Sequence, residues 1–287
     1  MIIQRIEERC TSCMLCVKDC VAGVWRDVNG KPETVTPELC IKCGHCVAVC
    51  PNKAIEHPDM DPIQVRSTDK SLLKPDVYRE IVMCRRSIRN YRDKDVPKEM
   101  VAHILELASH SPTAGNQQGV SYTVIADKDL LSDIAATVFD LGKRTHQRTK
   151  TGIGKFIYSF LQRLSMTTDL DRYMDAMAHF LDETEKGRDL ILHHAPILLL
   201  IHAPRKGRFH NEDCNIAAAN IMNYAYAQGL GTCYIGFLLA ALKYNNGLKK
   251  RLQLPKGNKL YACLVMGYPE FWHRFTSSRK LPSIEWI

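Results

Sequence analysis

No run of apolar residues in this sequence reaches the roughly twenty needed to cross a bilayer, so a helical membrane protein is not expected. The opening residues Met1-Ile2-Ile3-Gln4-Arg5 lead straight into Glu7 and Glu8, without the apolar core of an export signal. A framework of disulfides, which needs an oxidising compartment, is therefore not expected either. Gly229-Leu230-Gly231 lacks the third glycine and the preceding strand of a dinucleotide fingerprint, and no adenine-binding βαβ unit appears elsewhere. His193 and His194 have no carboxylate–histidine spacing around them that suggests a metal, so a structural role is expected. The remaining bulk properties are ordinary: 45% hydrophobic and 24% charged residues fit a globular protein, and 287 residues suit two domains better than one.

Cysteine is what the chain has in excess, twelve residues in all. Cys10, Cys13, Cys16 and Cys20 are spaced Cys-x2-Cys-x2-Cys-x3-Cys. Cys40, Cys43, Cys46 and Cys50 repeat that spacing after a shift of thirty residues, and Pro51 follows. Three thiolates two residues apart converge on three corners of an iron–sulfur cube from one tight loop. The fourth starts the next element and points away, to complete the other cube. The implied ligation is crossed: Cys10, Cys13, Cys16 and Cys50 hold one [4Fe–4S] cluster, and Cys40, Cys43, Cys46 and Cys20 the other. Structural zinc would prefer two Cys-x2-Cys pairs and a longer spacer. The segment resembles the bacterial two-cluster ferredoxins, which implies a pseudo-twofold pair of short hairpins and helices. Val21 stands where that family often carries proline, a change in turn preference rather than in ligand.

The cysteine-rich segment ends near His57. Prolines at 58, 62 and 75 and the polar stretch Arg66 to Ser71 read as a joint. The expected division is a two-cluster domain over 1–62, a linker over 63–75 and a second domain over 76–287. In that second part Val101, Ile104, Leu105 and Ala108 recur at helical spacing after Pro97. Tyr122 to Ala126 reads as a strand, and Pro196 to Ile201 as a strand buried on both faces. Asp213 to Gln228 reads as a helix closed by Gly229, and Leu260 to Met266 as a third strand. Interleaved helices and strands give an α+β sandwich of three layers.

Four stretches of this second part carry candidate chemistry. Arg85-Arg86-Ser87-Ile88-Arg89 offers guanidinium groups and a hydroxyl suited to a phosphate, or a solvated basic helix end. Ser111 to Gln118 is a turn-rich loop whose carboxamides can meet a heterocycle edge, or merely a helix-to-strand connection. In Gly229 to Phe237 the glycines would let backbone approach a flat ring. Arg279 and Lys280 place two more cations near the C-terminus. In this order and at these separations the stretches resemble the FMN-dependent nitroreductase family, over roughly Pro75 to Ile287. The resemblance implies a three-layer α/β/α domain and an FMN site built by Arg85, Ser87 and Arg89, by Asn116 and Gln118, by Ile235 and Gly236, and by Arg279 and Lys280. The last two cations are adjacent here, where the family separates them. The resemblance also implies a homodimer with flavin sites at the subunit interface.

With eight thiolates, two cubes and a flavin phosphate counted, the formal +8 falls to about +2, so a nucleic-acid partner is not expected. Exposed clusters and free thiols point to reducing cytoplasm. Cys84, Cys214, Cys233 and Cys263 lie outside the cluster motifs and suit core filling, Cys233 being the one beside the presumed flavin loop. The basic stretch from Lys143 to Arg163, followed by Met166, Met174 and Met177, reads as a solvated helix face, with a docking patch for an acidic electron donor as the sharper alternative. The expected activity is an FMN-dependent oxidoreductase. It would reduce a small electron-poor organic acceptor, such as a nitroaromatic or quinone, with electrons relayed through two [4Fe–4S] clusters. Reduced ferredoxin or NAD(P)H would be the donor. An electron carrier or redox sensor serving a partner protein is the alternative.

Overall fold

The computed structural model describes residues 3–149, 152, 179–242 and 245–287. The chain divides into two compact units, Met1–Lys74 with Thr113–Gln118, and Pro75–Pro112 with Gly119–Ile287.

The first unit is built twice. A 3-10 turn at Glu7–Arg9 delivers Cys10, and one at Pro37–Leu39 delivers Cys40. The Cys10 amide donates to the Glu7 carbonyl at 3.1 Å, and the Cys40 amide to the Pro37 carbonyl at 3.2 Å. Left-handed residues recur at the same offsets, Ser12 and Met14 in one copy and Lys42 and Gly44 in the other. Each copy then enters a short helix, Leu15–Asp19 or His45–Val49. Val21 leaves the following turn intact: the Gly23 amide reaches the Cys20 carbonyl as the Lys53 amide reaches that of Cys50. Strand β1 (Gln4–Arg5) pairs antiparallel with β4 (Ile55–Glu56), and β2 (Trp25–Val28) with β3 (Lys31–Thr34). Asn29 and Gly30, both at positive φ, make the two-residue turn that Asn-Gly favours between strands. Ile3, Val24, Trp25 and Ile55 form a small core against the cysteines.

The second unit is a four-stranded sheet in the order β5-β6-β8-β7, antiparallel throughout. Its strands are β5 (Ser121–Ile125), β6 (Ile197–Pro204), β7 (Gly231–Tyr234) and β8 (Asn258–Gly267). Side chains of β6 and β8 alternate between two cores. Ile197, Leu199 and Ile201, with Ala262, Leu264 and Met266, face the helices Lys98–Ser109 and His210–Ala227. Leu198 and Leu200, with Cys263 and Val265, face Lys128–Thr149 and the short helices Gly236–Ala241 and Asn246–Arg251. Cys214, Ala218, Ile221 and Ala225 recur every three to four residues, the stripe that seats His210–Ala227 on the sheet. The result is the three-layer α/β/α arrangement that sequence periodicity implies.

The helix His210–Ala227 begins one turn before the expected Asp213 and stops where expected. Gly229 is left-handed at φ +79; its amide donates to Tyr226 O, and the Leu230 amide to Ala225 O at 2.8 Å. That pair of bonds is a Schellman cap, with Leu230 and Ala225 in the same core. Two residues later the segment expected to be glycine loop is strand β7, pairing Gly231 with Gly267 and Tyr234 with Leu264. Gly231 is small for a packing reason, since a Cβ there would lie 2.5 Å from Ile88 Cγ1. Gly231→Ala should destabilise the protein by about 1–3 kcal/mol through overpacking. That would be read as a lower denaturant midpoint at unchanged m-value.

Candidate functional site

In the first unit the two cysteine motifs line two cavities. Cys10, Cys13, Cys16 and Cys50 surround the first. Cys40, Cys43, Cys46 and Cys20 surround the second. Each quartet takes three thiols from one motif and the fourth from the other, because Cys20 and Cys50 leave their loops in extended backbone after the short helices. Among the described residues no group of three or more His, Cys, Asp or Glu side chains is placed to hold a single metal ion. Backbone amides supplement the sulfurs: Ser12 N donates to Cys10 Sγ at 3.5 Å, Lys42 N to Cys40 Sγ at 3.4 Å and Ala54 N to Cys50 Sγ at 3.2 Å. Such donors favour thiolate character. Burial acts the other way, pushing the Cys16 thiol up to about 11 and raising that of Cys46. Deprotonation of these thiols therefore has to be driven by the positive core they bind. The donor set fits a pair of [4Fe–4S] clusters. Trp25 lines both cavities, and its buried indole N–H acts on the Cys46 thiol, opposing the effect of burial.

In the second unit the segment after the helix Pro75–Cys84 runs beside β7. Ser87 forms a parallel bridge with Thr232, and the Ile88 amide donates to the Thr232 carbonyl at 3.0 Å. Ile88 turns into the core against Gly231. Ser87 and Arg89 act on the Cys233 thiol, which burial raises and these polar neighbours, with Arg85, lower. Burial, then Arg86 and then Arg279, hold the Arg85 guanidinium below its usual value. Arg279 is thus brought to Arg85 from nearly two hundred residues away in sequence. Thr232 Oγ1 is buried and has no hydrogen-bond partner. Converging guanidinium groups with an adjacent hydroxyl and an unsatisfied buried oxygen are the chemistry of an anion site, and a phosphate fits it.

The other expected contacts divide. Ile235 is buried and caps the helix Gly236–Ala241, its amide bonded to Cys263 O at 3.0 Å. A Cβ at Gly236 would meet nothing within 4 Å, so backbone is open to a flat group there. Lys280 is exposed in the C-terminal segment. Asn116 and Gln118 belong instead with the first unit. Asn116 Nδ2 donates to the carbonyls of Ile41 and Lys42 at 3.2 and 2.8 Å, and the Gln118 amide donates to Thr113 Oγ1 at 3.0 Å. Thr232 is the residue that sequence reading missed, since nothing in Gly-Thr-Cys-Tyr announces that Ser87 will lie beside it.

Of the cysteines expected to fill the core, Cys214, Cys233 and Cys263 are buried, whereas Cys84 lies on the helix Pro75–Cys84 and is only partly buried. Cys84 Sγ donates to Glu80 Oε1 at 2.8 Å, and burial pushes the Cys214 thiol up to about 12. His194 and Asp189 bond each other within one turn. Lys143, Arg144 and Arg148 lie on the helix Lys128–Thr149, while Lys150, Lys155, Arg163, Met166, Met174 and Met177 lie outside the described residues.

Fold and site together define an α/β/α oxidoreductase domain preceded by a two-cluster ferredoxin module. Residues 82–268 match the nitroreductase family and residues 9–55 a 4Fe-4S dicluster domain. The chain belongs to the nitroreductase family. It is 23% identical to a 4-nitrobenzoate reductase of Nocardioides sp. over 222 residues, 71% of this chain and 85% of that protein. Its first part is 46% identical over 50 residues to a component of the ion-translocating oxidoreductase complex of Methanosarcina acetivorans, 17% of this chain and 19% of that protein. Among solved structures, a nitroreductase with bound FMN from Desulfitobacterium hafniense superposes with a TM-score of 0.52 at 18% identity. That match covers 73% of this chain and 97% of the other.

Proposed function

We propose that this protein is an FMN-dependent oxidoreductase that reduces a small electron-poor organic acceptor, a nitroaromatic, a quinone or a similar compound, with electrons reaching FMN through two [4Fe–4S] clusters. The observation that carries the reading is that Ser87 lies against Thr232 of β7, with Arg85 and Arg89 acting on the neighbouring Cys233 and Arg279 acting on Arg85, in a chain that also carries two four-cysteine cavities. Arg85, Ser87, Arg89 and Arg279 hold the FMN phosphate, with Lys280 beside them. Ile235 and Gly236 present backbone to the ring. When bound, FMN exchanges electrons singly or in pairs, which matches one-electron clusters to a two-electron organic reduction. The protein's own part is to hold the phosphate, shape the space over the ring and exclude water.

The domains of this reading are 1–62 for the clusters, 63–75 as linker and 76–287 for FMN. Reduced ferredoxin or NAD(P)H supplies the electrons. A homodimer is supported by the C-terminal segment, where Phe275, Leu281, Ile284 and Trp286 are exposed on a single chain. A cytoplasmic location is supported by twelve cysteines with no disulfide among them. No helix among the described residues is long and apolar enough to cross a membrane.

Arg85→Ala should weaken FMN binding by about 1.5–3 kcal/mol, roughly ten- to hundredfold, the range for a charged hydrogen bond. Flavin fluorescence titration of the deflavinated protein measures it. Mass spectrometry of the cofactor released from the unmodified protein must find FMN, and finding FAD would sink the assignment.

A further inference from the structure

The twofold repeat of the first unit fails at one buried polar side chain. His57 lines the second cavity and is 6% exposed. Its Nε2 lies 3.4 Å from Cys40 Sγ. Its Nδ1 accepts a hydrogen bond from the Asp59 amide at 3.2 Å. A backbone amide can only donate, so Nδ1 supplies a lone pair and the ring proton resides on Nε2. The tautomer is thereby fixed with its N–H toward sulfur.

No histidine lines the first cavity. Thirty residues earlier the counterpart of His57 is Asp27, exposed on β2, whose carboxylate accepts the Gly30 amide of the hairpin turn at 2.9 Å. Cys10, the counterpart of Cys40, receives the matching backbone donor from Ser12. The donor at the first cavity is a cation instead: Arg5 hydrogen-bonds the Cys10 thiol while pairing with Glu7 and Glu33 at 2.9 and 2.8 Å.

We propose that His57 donates a hydrogen bond to the Cys40 thiolate of the second [4Fe–4S] cluster and thereby raises that cluster's reduction potential, making the two clusters chemically distinct. The proposal rests on the two-cluster assignment. Reduction adds one negative charge to the cluster, and an N–H dipole aimed at a ligating sulfur stabilises the reduced form more than the oxidised one. His57 is a positioning residue in this sense. It touches a ligand, and the low-dielectric surroundings of the cavity keep its dipole from being screened.

The test is an anaerobic redox titration of the full chain, followed by electron paramagnetic resonance, in the wild type, His57→Phe and His57→Gln. Iron and sulfide assays come first, so that a failure of the two-cluster assignment is seen separately. In His57→Phe one reduction step should move to more negative potential while the other stays. His57→Gln, which can place an N–H near the same point, should move that step back toward the wild type. An unmoved titration in His57→Phe, or equal shifts in both variants, would overturn the proposal. Should His57→Phe fail to assemble its clusters, 15N-histidine labelling of a His45→Ala protein decides. One nitrogen hyperfine coupling to a reduced cluster is expected, and its absence overturns the proposal.

Discussion

Cys20→Ala is expected to destroy the cluster held by Cys40, Cys43 and Cys46 and to leave intact the one held by Cys10, Cys13 and Cys16. The geometry behind this is the short helix Leu15–Asp19, which carries the chain out of the first loop and sets Cys20 in extended backbone on the wall of the second cavity. A cube with three thiolates has one iron open to solvent and oxygen, so the remaining three cysteines should not protect it. About half of roughly eight irons and eight acid-labile sulfides per chain should be lost. The mirror variant Cys50→Ala should empty the first cavity to the same extent. Iron and sulfide assays give the count. To identify which cluster survives, each variant is combined with Cys13→Ala or Cys43→Ala. In the Cys20→Ala background, Cys43→Ala should remove nothing further, while Cys13→Ala should remove the rest. The reverse pattern would mean that each motif holds its own cube.

The cluster ligands were legible in the sequence because ligand spacing along a loop is a local property. A tight turn with a thiol every third residue leaves little choice about where the sulfurs go. Strands β6 and β8 were legible for a different reason, since continuous apolar runs such as Ile197 to Ile201 can be buried only on both faces. The end of the helix His210–Ala227 was legible because one glycine at positive φ marks it. What escaped depends on partners remote in sequence. Strand β7 is four residues long, too short for periodicity to declare it, and its glycine is explained by Ile88 rather than by anything adjacent. Thr232 gains meaning only from Ser87 beside it. The loop Thr113–Gln118 reads as a helix-to-strand connection, and only the bonds of Asn116 to the Ile41 and Lys42 carbonyls reveal that it packs in the first unit. His57 ended the cysteine-rich segment in the sequence and looked like a boundary, because its role is set by a sulfur seventeen residues earlier.

Disabling both clusters in the full-length chain, by Cys13→Ala together with Cys43→Ala, should abolish turnover driven by a reduced ferredoxin-type donor while sparing the flavin. Neither cysteine lies among the residues around Arg85. The second unit has its own two cores on either side of its sheet, so FMN binding should persist near the wild-type level. Dithionite, a small reductant that needs no docking surface, should still bleach the bound flavin. Turnover with a nitroaromatic or quinone acceptor should fall by roughly a hundredfold or more. A donor that loses the covalently linked clusters must find the flavin by collision, and loses the effective concentration that one chain provides. If NADH or NADPH drives the wild type, the same variant separates the two routes. Nicotinamide-driven turnover should survive where it delivers hydride directly, and ferredoxin-driven turnover should not. Equal ferredoxin-driven rates in the variant and the wild type would show that the clusters are not the path to the flavin. That result would assign them a sensing or structural role.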